Sequence, residues 1–289
     1  MSDYLRGVAL CLAAGVLWSL GGVMVRSIEE ADVWQISFWR SGTMALTGLL
    51  VVAVRYRAAM IRPFRELGPS GVAAGLFIGL ANISFILALT NTTVANTLFI
   101  LAAQPFMVAL LAWLLLRERV ARTTWAAMGL ATIGVAVMVG GSLVAADMFG
   151  TVMAIACAIA FSLFVVAIRA RPTADRIPLV AIAGVFVMVI GFAVSGGDVA
   201  VPLRDIFLCV AMGSVQVTLG LMLFIAGARY LPGSQVTLLS ELEIVLGPLW
   251  VFWVYAEIPS LATLVGGVLV LAAVLGQTLA GARRTGVRA

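Results

Sequence analysis

The sequence predicts an all-α integral membrane protein whose ten transmembrane helices form two inverted five-helix repeats. Three observations lead to this prediction: the composition, a series of apolar segments, and the charge of the segments between them. Of the 289 residues, 63% are hydrophobic and 11% are charged, and the mean hydropathy is +1.15. Soluble domains carry about 25% charged residues, so this composition is typical of a chain embedded in lipid.

Ten apolar stretches are close to the roughly 20 residues that a helix needs to cross a bilayer. We number them spans 1 to 10, and they cover residues 5–25, 33–54, 70–90, 93–116, 123–142, 149–169, 178–195, 206–229, 234–256 and 260–281. The links between them are short. We therefore expect one membrane unit without a soluble domain.

The links alternate in charge. Of the 18 basic residues, all of them arginine, 15 lie before span 1, after the even-numbered spans or at the C-terminus. We call this side the basic end; it carries Arg6, Arg55, Arg57, Arg62, Arg65, Arg117, Arg119, Arg122, Arg169, Arg171, Arg176, Arg229, Arg283, Arg284 and Arg288. The other side, the acidic end, carries Glu29, Glu30, Asp32, Asp147, Asp198, Asp205 and Glu257. The positive-inside rule then predicts that both termini are cytoplasmic.

Several kinds of site are disfavoured by the residue types present. There is no histidine, and histidine is the commonest metal ligand and the usual acid or base near neutral pH. Cys11, Cys157 and Cys209 lie far apart in apolar runs, which favours buried thiols over a metal cluster or a redox pair. No glycine-rich phosphate loop is present. We expect no metal, no cofactor and no nucleic-acid partner, since membrane topology explains the net charge of +5.

An internal repeat divides the chain into residues 1–142 (spans 1–5) and 143–289 (spans 6–10). A shift of 139 residues aligns three polar positions: Asn96 with Gln235, Gln104 with Glu243, and Glu118 with Glu257. Because each copy has an odd number of spans, the second copy must be inserted upside down. Inverted repeats are typical of secondary transporters, whose substrate site lies near the midplane between the halves.

The two halves carry a recognisable pattern. In span 9, Leu242-Glu243 lies 14 positions before the helix-ending Glu257, and in span 4 Gln104-Pro105 lies 14 positions before Glu118. This pattern resembles the EamA-type repeat of the drug/metabolite transporter (DMT) superfamily, and Trp18-Ser19 resembles the family's opening helix. The similarity extends over essentially the full chain. One departure is Ile244, which stands where the family has a proline, with Pro248 four residues later.

The resemblance implies the DMT/EamA fold and a secondary transporter that works by alternating access without ATP. It implies export of small metabolites, especially neutral and aromatic amino acids as in YddG-like exporters, across the bacterial inner membrane. A multidrug, organic-solute or organic-anion exchanger of the same fold is an alternative, and an intramembrane enzyme is a remote one. The expected partners are a small-molecule substrate and the lipid bilayer, and ten helices with an internal two-fold axis can form a complete pathway as a monomer.

The candidate substrate-binding residues are polar or aromatic side chains near the predicted midplane: Trp18, Asn82, Asn96, Gln104, Ser162, Gln216, Ser240 and Glu243. A zwitterionic solute needs donors for its carboxylate and acceptors for its ammonium group, which such side chains can supply. The alternative is that they join helices by hydrogen bonds worth about 0.6 kcal/mol each.

Span 9 also places two carboxylates at bilayer depth, where an ionisable group is costly and is a candidate functional residue. Glu241 and Glu243 are about 200° apart on a helix, so they face different surroundings. Either is a candidate for proton coupling, and the register with Gln104 favours Glu243. Glu118 and Glu257 are interpreted as structural helix-end residues that bond the start of the next helix, for example Glu257 near Ser260.

Two further features of spans 2 and 3 carry predictions. Arg40 either holds a substrate carboxylate or extends towards the acidic end beside Glu29, Glu30 or Asp32, as long cationic side chains do. Gly71, Gly75 and Gly79, spaced by four, predict close helix packing, with Asn82 continuing the same inward face.

Overall fold

The computed structural model describes residues 3–117, 122–145, 147–169, 177–227, 230 and 242–284. These residues confirm the all-helical membrane fold. Eight helical stretches are long and apolar enough to cross a membrane, and two shorter apolar helices correspond to spans 9 and 10. In chain order the helices are Asp3–Ser19 and Gly21–Arg26 (span 1), Val33–Tyr56 (2), Arg62–Asn91 (3), Val94–Leu101 and Gln104–Leu116 (4), Arg122–Ala145 (5), Met148–Arg169 (6), Ile177–Val194 (7), Leu203–Ala211 with Gly220–Gly227 (8), Leu242–Tyr255 (9) and Leu261–Arg284 (10).

Span 3 begins earlier than the hydropathy pattern predicts. Its helix starts at Arg62 rather than near residue 70, and it is kinked at Gly68, where φ is 61° and ψ is −170°. Pro69 excludes the helical conformation from the residue before it, and glycine adopts a positive φ without steric cost. The polar segment before the kink therefore forms a helical turn that continues into the membrane span.

Within the part of the chain that the structure describes, three spans are interrupted inside the bundle. Span 1 breaks between Ser19 and Gly21, and span 4 breaks between Leu101 and Gln104, just before Pro105. Span 8 contains a π-helical segment, Met212–Leu219. Breaks of this kind expose backbone groups and shift side chains around the helix, and they are frequent at functional sites in membrane and soluble proteins.

The spans pack in a regular set of pairs. Span 2 packs most extensively on span 7, span 3 on span 6, span 5 on span 10, span 1 on span 8, and span 4 on span 6. Glycine allows the closest approaches: a Cβ built on Gly184 would lie 2.6 Å from the Ala45 backbone nitrogen, and one on Gly266 would lie 2.5 Å from the Gly134 carbonyl. Small residues at such crossings let the backbones pack directly.

Two of the three glycines predicted to form a packing face in span 3, Gly75 and Gly79, lie against another span. A Cβ on Gly75 would meet Ile182 at 2.6 Å, and one on Gly79 would meet Phe186 at 2.6 Å, both in span 7. At Gly71 the nearest group is Leu67 of the same helix. The glycine face thus places span 3, and with it Asn82, close to the second half of the chain.

The links of the acidic end are tied together. Asp32 caps the helix of span 2 through the amides of Trp34 and Gln35. Asp205, buried at the start of span 8, accepts backbone N–H bonds from Glu29, Glu30 and Ala31 at 3.4, 2.9 and 2.9 Å. The loop between spans 1 and 2 is therefore held by a carboxylate of the second half.

Candidate functional site

Arg40 and Asn82 form the polar centre of the contact between spans 2 and 3. The Arg40 Nη1 atom donates to Asn82 Oδ1 at 2.8 Å, and the Asn82 amide nitrogen donates to the Ile78 carbonyl at 2.9 Å. Only 3% of Arg40 is exposed. Its guanidinium is therefore a buried cation held in position by an amide oxygen.

The position of Arg40 disagrees with one of its two interpretations, in which the side chain extends towards the acidic end. The side chain does not extend to the acidic end, because it is buried and bonded to Asn82. The carboxylates proposed to attract it are otherwise engaged: Glu29 pairs with Arg204, and Asp32 caps its own helix. The guanidinium is therefore buried inside the bundle, which hydropathy alone did not indicate.

Trp18 and Gln216 meet where spans 1 and 8 are both irregular. The Gln216 Nε2 atom donates to the Trp18 carbonyl at 3.2 Å, and the Trp18 ring lies 5.4 Å from the ring of Phe224. The break in span 1 brings Gly21 against Gln216, with Phe85 of span 3 beside them. The break and the π-helical segment thus place a buried amide between spans 1, 3 and 8.

Cys157 connects this region to span 9. It is buried against Ala81 and Phe161, and it is close enough to interact electrostatically with both Arg40 and Glu243. Glu243 is half-buried near the start of the described helix of span 9. Arg40 and Glu243 therefore both lie within electrostatic range of Cys157.

Asn96 lies in a different cluster. Its amide nitrogen donates to Thr151 Oγ1 at 2.8 Å and to Thr92 Oγ1 at 3.1 Å, and the Thr92 hydroxyl donates to Asp147. These residues join the start of span 4 to the start of span 6, at the acidic end. Asn96 is thus bonded across the two halves, apart from the Arg40 cluster.

The remaining candidates are less informative. The Ser162 hydroxyl is buried and donates to the Ala158 carbonyl of its own helix at 2.7 Å. Gln104 is half-buried at the first turn of the helix that follows the break in span 4. Ser240, Glu241 and Glu118 lie outside the described residues.

Glu257 has a different partner from the one expected. Its Oε1 accepts from the backbone N–H of Val94 at 2.7 Å, and its Oε2 pairs with Arg26 Nε at 2.8 Å. The expected partner of Glu257, the start of span 10, is capped by Ser260 itself, which accepts from the Thr263 amide at 3.1 Å. Glu257 thus bonds the start of a helix, but that helix is span 4 in the other half and not the next helix along the chain. The positive helix N-terminus favours a carboxylate there.

Several residues of these clusters were not found from the sequence. Arg26 is the partner of Glu257, and it also donates to the Thr92 carbonyl at 2.7 Å. Trp250 turns inward and donates to Ser19 Oγ at 2.9 Å. The sequence did set Arg26 apart, because it is one of only two arginines in the links of the acidic end. No sequence signal distinguishes Trp250 from the exposed Trp253.

An apolar groove lies elsewhere on the bundle. It is lined by residues of spans 2, 7 and 8, namely Gly48, Val51, Ile177, Val180, Thr218, Leu221 and Met222. Its one polar lining residue, Thr218, donates its hydroxyl to the Gly213 carbonyl at 2.8 Å. The groove offers no polar group to orient a solute and suits an alkyl chain.

Comparison with known proteins agrees with this architecture. Residues 5–140 match the EamA-like transporter family. No curated protein matches the chain. One protein of known crystal structure is similar over 98% of this chain and 99% of its own, with a TM-score of 0.68 and 17% identity; at that identity the likeness concerns the fold alone. The chain is therefore a multi-pass membrane protein whose residues 5–140 are similar to the EamA-like transporter family.

Proposed function

We propose that this protein is a secondary transporter that exports small metabolites, chiefly neutral and aromatic amino acids, by alternating access and without ATP. It would act as a monomer in a bacterial inner membrane, with the basic end and both termini in the cytoplasm. The observation that carries the proposal is a set of two buried polar pairs: Arg40 with Asn82 between spans 2 and 3, and Gln216 with Trp18 where the interrupted spans 1 and 8 meet. Transporters bind their substrates at such junctions.

The packing of the spans supports the inverted repeat, residues 1–142 and 143–289. A two-fold axis that exchanges spans 1–5 with spans 6–10 maps the pairs 2–7 and 5–10 onto themselves. It exchanges the pair 3–6 with the pair 8–1, and the pair 4–6 with the pair 9–1. These pairs are among the most extensive contacts between spans. The packing is therefore consistent with a two-fold axis that relates two halves able to rock against each other.

The contacts at the acidic end are those of a closed gate. Three side-chain pairs join the first half of the chain to the second: Arg26 with Glu257, Thr92 with Asp147, and Ser27 with Tyr255. We infer that this conformation denies access to the centre from the acidic end. In the proposed cycle these bonds break when the solute is released on that side.

Transport into proteoliposomes tests the function. Purified protein is reconstituted, and uptake of radiolabelled L-phenylalanine and L-leucine is followed with and without unlabelled amino acid inside. A secondary transporter gives uptake above protein-free vesicles that is accelerated by internal counter-substrate, without added ATP. If vesicles with and without protein take up L-phenylalanine and L-leucine equally, the proposed transport of these amino acids is contradicted.

The buried charge of Arg40 favours a second candidate, exchange of organic anions. A lone intramembrane cation suits a solute whose net charge is negative. The same vesicles, loaded with a dicarboxylate or a phosphorylated metabolite, distinguish the two candidate functions. If these internal anions accelerate uptake and internal neutral amino acids do not, the protein is an anion exchanger.

A further inference from the structure

Arg40 and Gln216 each have one buried polar atom without a hydrogen-bond partner, and the two atoms are of opposite kinds. Arg40 Nε is an N–H donor, and Gln216 Oε1 is an acceptor. The orientation of the Gln216 amide follows from its other bond, because only its nitrogen can donate to the Trp18 carbonyl. Buried polar groups in proteins are nearly always satisfied, so such a pair indicates a site for a ligand that offers both an acceptor and a donor.

Both atoms belong to one cluster of spans 1, 2, 3 and 8. The Arg40 carbonyl packs so tightly on Gly213 that no Cβ fits there, and Gln216 follows three residues later in the π-helical segment. From the other side, Asn82 holds Arg40 and lies three residues before Phe85, which flanks Gly21 together with Gln216. Arg40 and Gln216, the residues that carry the donor and the acceptor, are therefore linked by two sets of contacts.

The guanidinium presents a defined edge to a ligand. Asn82 binds Nη1, which leaves the edge formed by Nε and Nη2, and this edge matches the two oxygens of a carboxylate. Among the residues that the structure describes, no carboxylate pairs with Arg40. A bound carboxylate would offset the buried charge and satisfy the Nε donor at once.

We propose that Arg40 binds the carboxylate of the transported solute through its Nε–Nη2 edge, and that Gln216 Oε1 accepts an N–H from the same solute. The ligand class is a compact molecule with a carboxylate and a nearby N–H donor, of which an α-amino acid is the simplest. This inference rests on the proposed transport function and assigns its substrate-binding groups. A phosphate would meet the same guanidinium, so the test includes one.

Equilibrium binding to the purified protein tests the site with three matched probes and inorganic phosphate. L-Phenylalanine carries both groups, 3-phenylpropanoate lacks the amine, and phenethylamine lacks the carboxylate. We expect L-phenylalanine to bind tightest, 3-phenylpropanoate to follow, and phenethylamine to bind at least about tenfold more weakly than L-phenylalanine, because a hydrogen bond to a charged group is lost. Inorganic phosphate is expected not to compete. Competition by phosphate at concentrations at which 3-phenylpropanoate does not compete would overturn the carboxylate assignment.

Two variants of the Arg40–Asn82 pair are compared with a control variant in the same binding measurement. Arg40→Gln removes the cation, and Asn82→Asp supplies Arg40 with a built-in carboxylate at almost unchanged shape. Asn82→Asp is expected to fold even if Arg40→Gln does not, and to weaken binding of both carboxylate probes at least about tenfold. Arg204→Gln removes an exposed arginine at the acidic end and is expected to leave binding unchanged.

The outcomes separate this inference from the transport function. If Asn82→Asp binds L-phenylalanine as well as the wild type does, or if phenethylamine binds as tightly as L-phenylalanine, the role of Arg40 is wrong even where vesicle uptake persists. If the wild type transports amino acids and Asn82→Asp transports them equally, the inference fails and the transport function stands. If the wild type neither binds nor transports any of the probes, both fail.

Discussion

The Arg26 Nε atom lies 2.8 Å from Glu257 Oε2, and this ion pair joins the end of span 1 to the link between spans 9 and 10. Each partner has a second bond to span 4 or its entry: Arg26 to the Thr92 carbonyl and Glu257 to the Val94 amide. Four hydrogen-bonding groups from three parts of the chain therefore meet at one point of the acidic end. Both side chains are only partly exposed, at 26% and 18%, so water screens the pair less than it would an exposed one.

The Glu257→Gln variant is expected to open the acidic end more often. It removes the charge that pairs with Arg26, and losing a charged hydrogen bond of about 1.5 kcal/mol corresponds to a roughly tenfold larger open population. The native thiol of Cys157, buried in the centre, reports this opening through its labelling rate with a membrane-impermeant maleimide.

The matched control for this variant is Glu29→Gln, which removes the exposed pair of Glu29 with Arg204 at the same end. Exposed pairs contribute about 0–1 kcal/mol, so labelling of Cys157 should stay close to the wild-type rate. Equal labelling of Cys157 in Glu257→Gln and in the wild type would mean that the ion pair does not restrain the gate.

Asp205→Ala is expected to destabilise the protein by about 2–3 kcal/mol. The substitution removes the buried carboxylate that the backbone amides of Glu30 and Ala31 share as their acceptor, and losing hydrogen bonds to a charged group is costly. Thermal unfolding in detergent, followed by tryptophan fluorescence, measures the change. Glu30→Ala alters an exposed side chain of the same loop and should stay within about 0.5 kcal/mol of the wild type. An equal loss in both variants would assign the effect to the loop rather than to Asp205.

Hydropathy and charge were sufficient to predict the spans and the grouping of the links, because lipid requires long apolar helices and charge sorts their connections. The hydropathy pattern does not predict helical turns outside the apolar region. The helix of span 3 begins with such turns at Arg62, and the positive φ at Gly68 joins them to the apolar part of the helix. The close packing at Gly75 and Gly79 could be predicted, because a spacing of four residues places both glycines on the same face of the helix.

The partners of the polar residues could not be predicted, since they depend on contacts between distant segments. Arg40 and Asn82 are 42 positions apart, and Asn96 and Thr151 are 55 apart. Spacing along a single helix gives which side of that helix a residue occupies, but not which span faces it. For Arg40, position along the chain suggested the acidic end, whereas packing against Gly213 of span 8 fixes its backbone in the interior.

Gly184→Ala is expected to disrupt the contact between spans 2 and 7 and to cost about 1–3 kcal/mol, the usual range for overpacking. The added Cβ would lie 2.6 Å from the Ala45 nitrogen and 2.7 Å from the Ser41 carbonyl oxygen, and backbone atoms cannot move aside as side chains do. Gly140→Ala is the control, because its Cβ would meet nothing within 4 Å. Thermal unfolding in detergent should separate the two variants by several degrees, and equal midpoints would contradict this packing.

Glu243→Gln tests whether the carboxylate of span 9 carries the coupling proton. We propose that Glu243 releases and takes up a proton during transport, because it is half-buried near Cys157 in the interior and is ionisable at bilayer depth. Glutamine keeps the shape and cannot titrate, so a pH gradient should accelerate uptake by the wild type and not by the variant. Proteoliposome uptake with and without the gradient measures this difference. Glu66→Gln, at the exposed pair with Arg62 near the basic end, should keep the wild-type response. If Glu243→Gln retains both the wild-type rate and its dependence on the gradient, the coupling proton is carried elsewhere or transport is not proton-coupled.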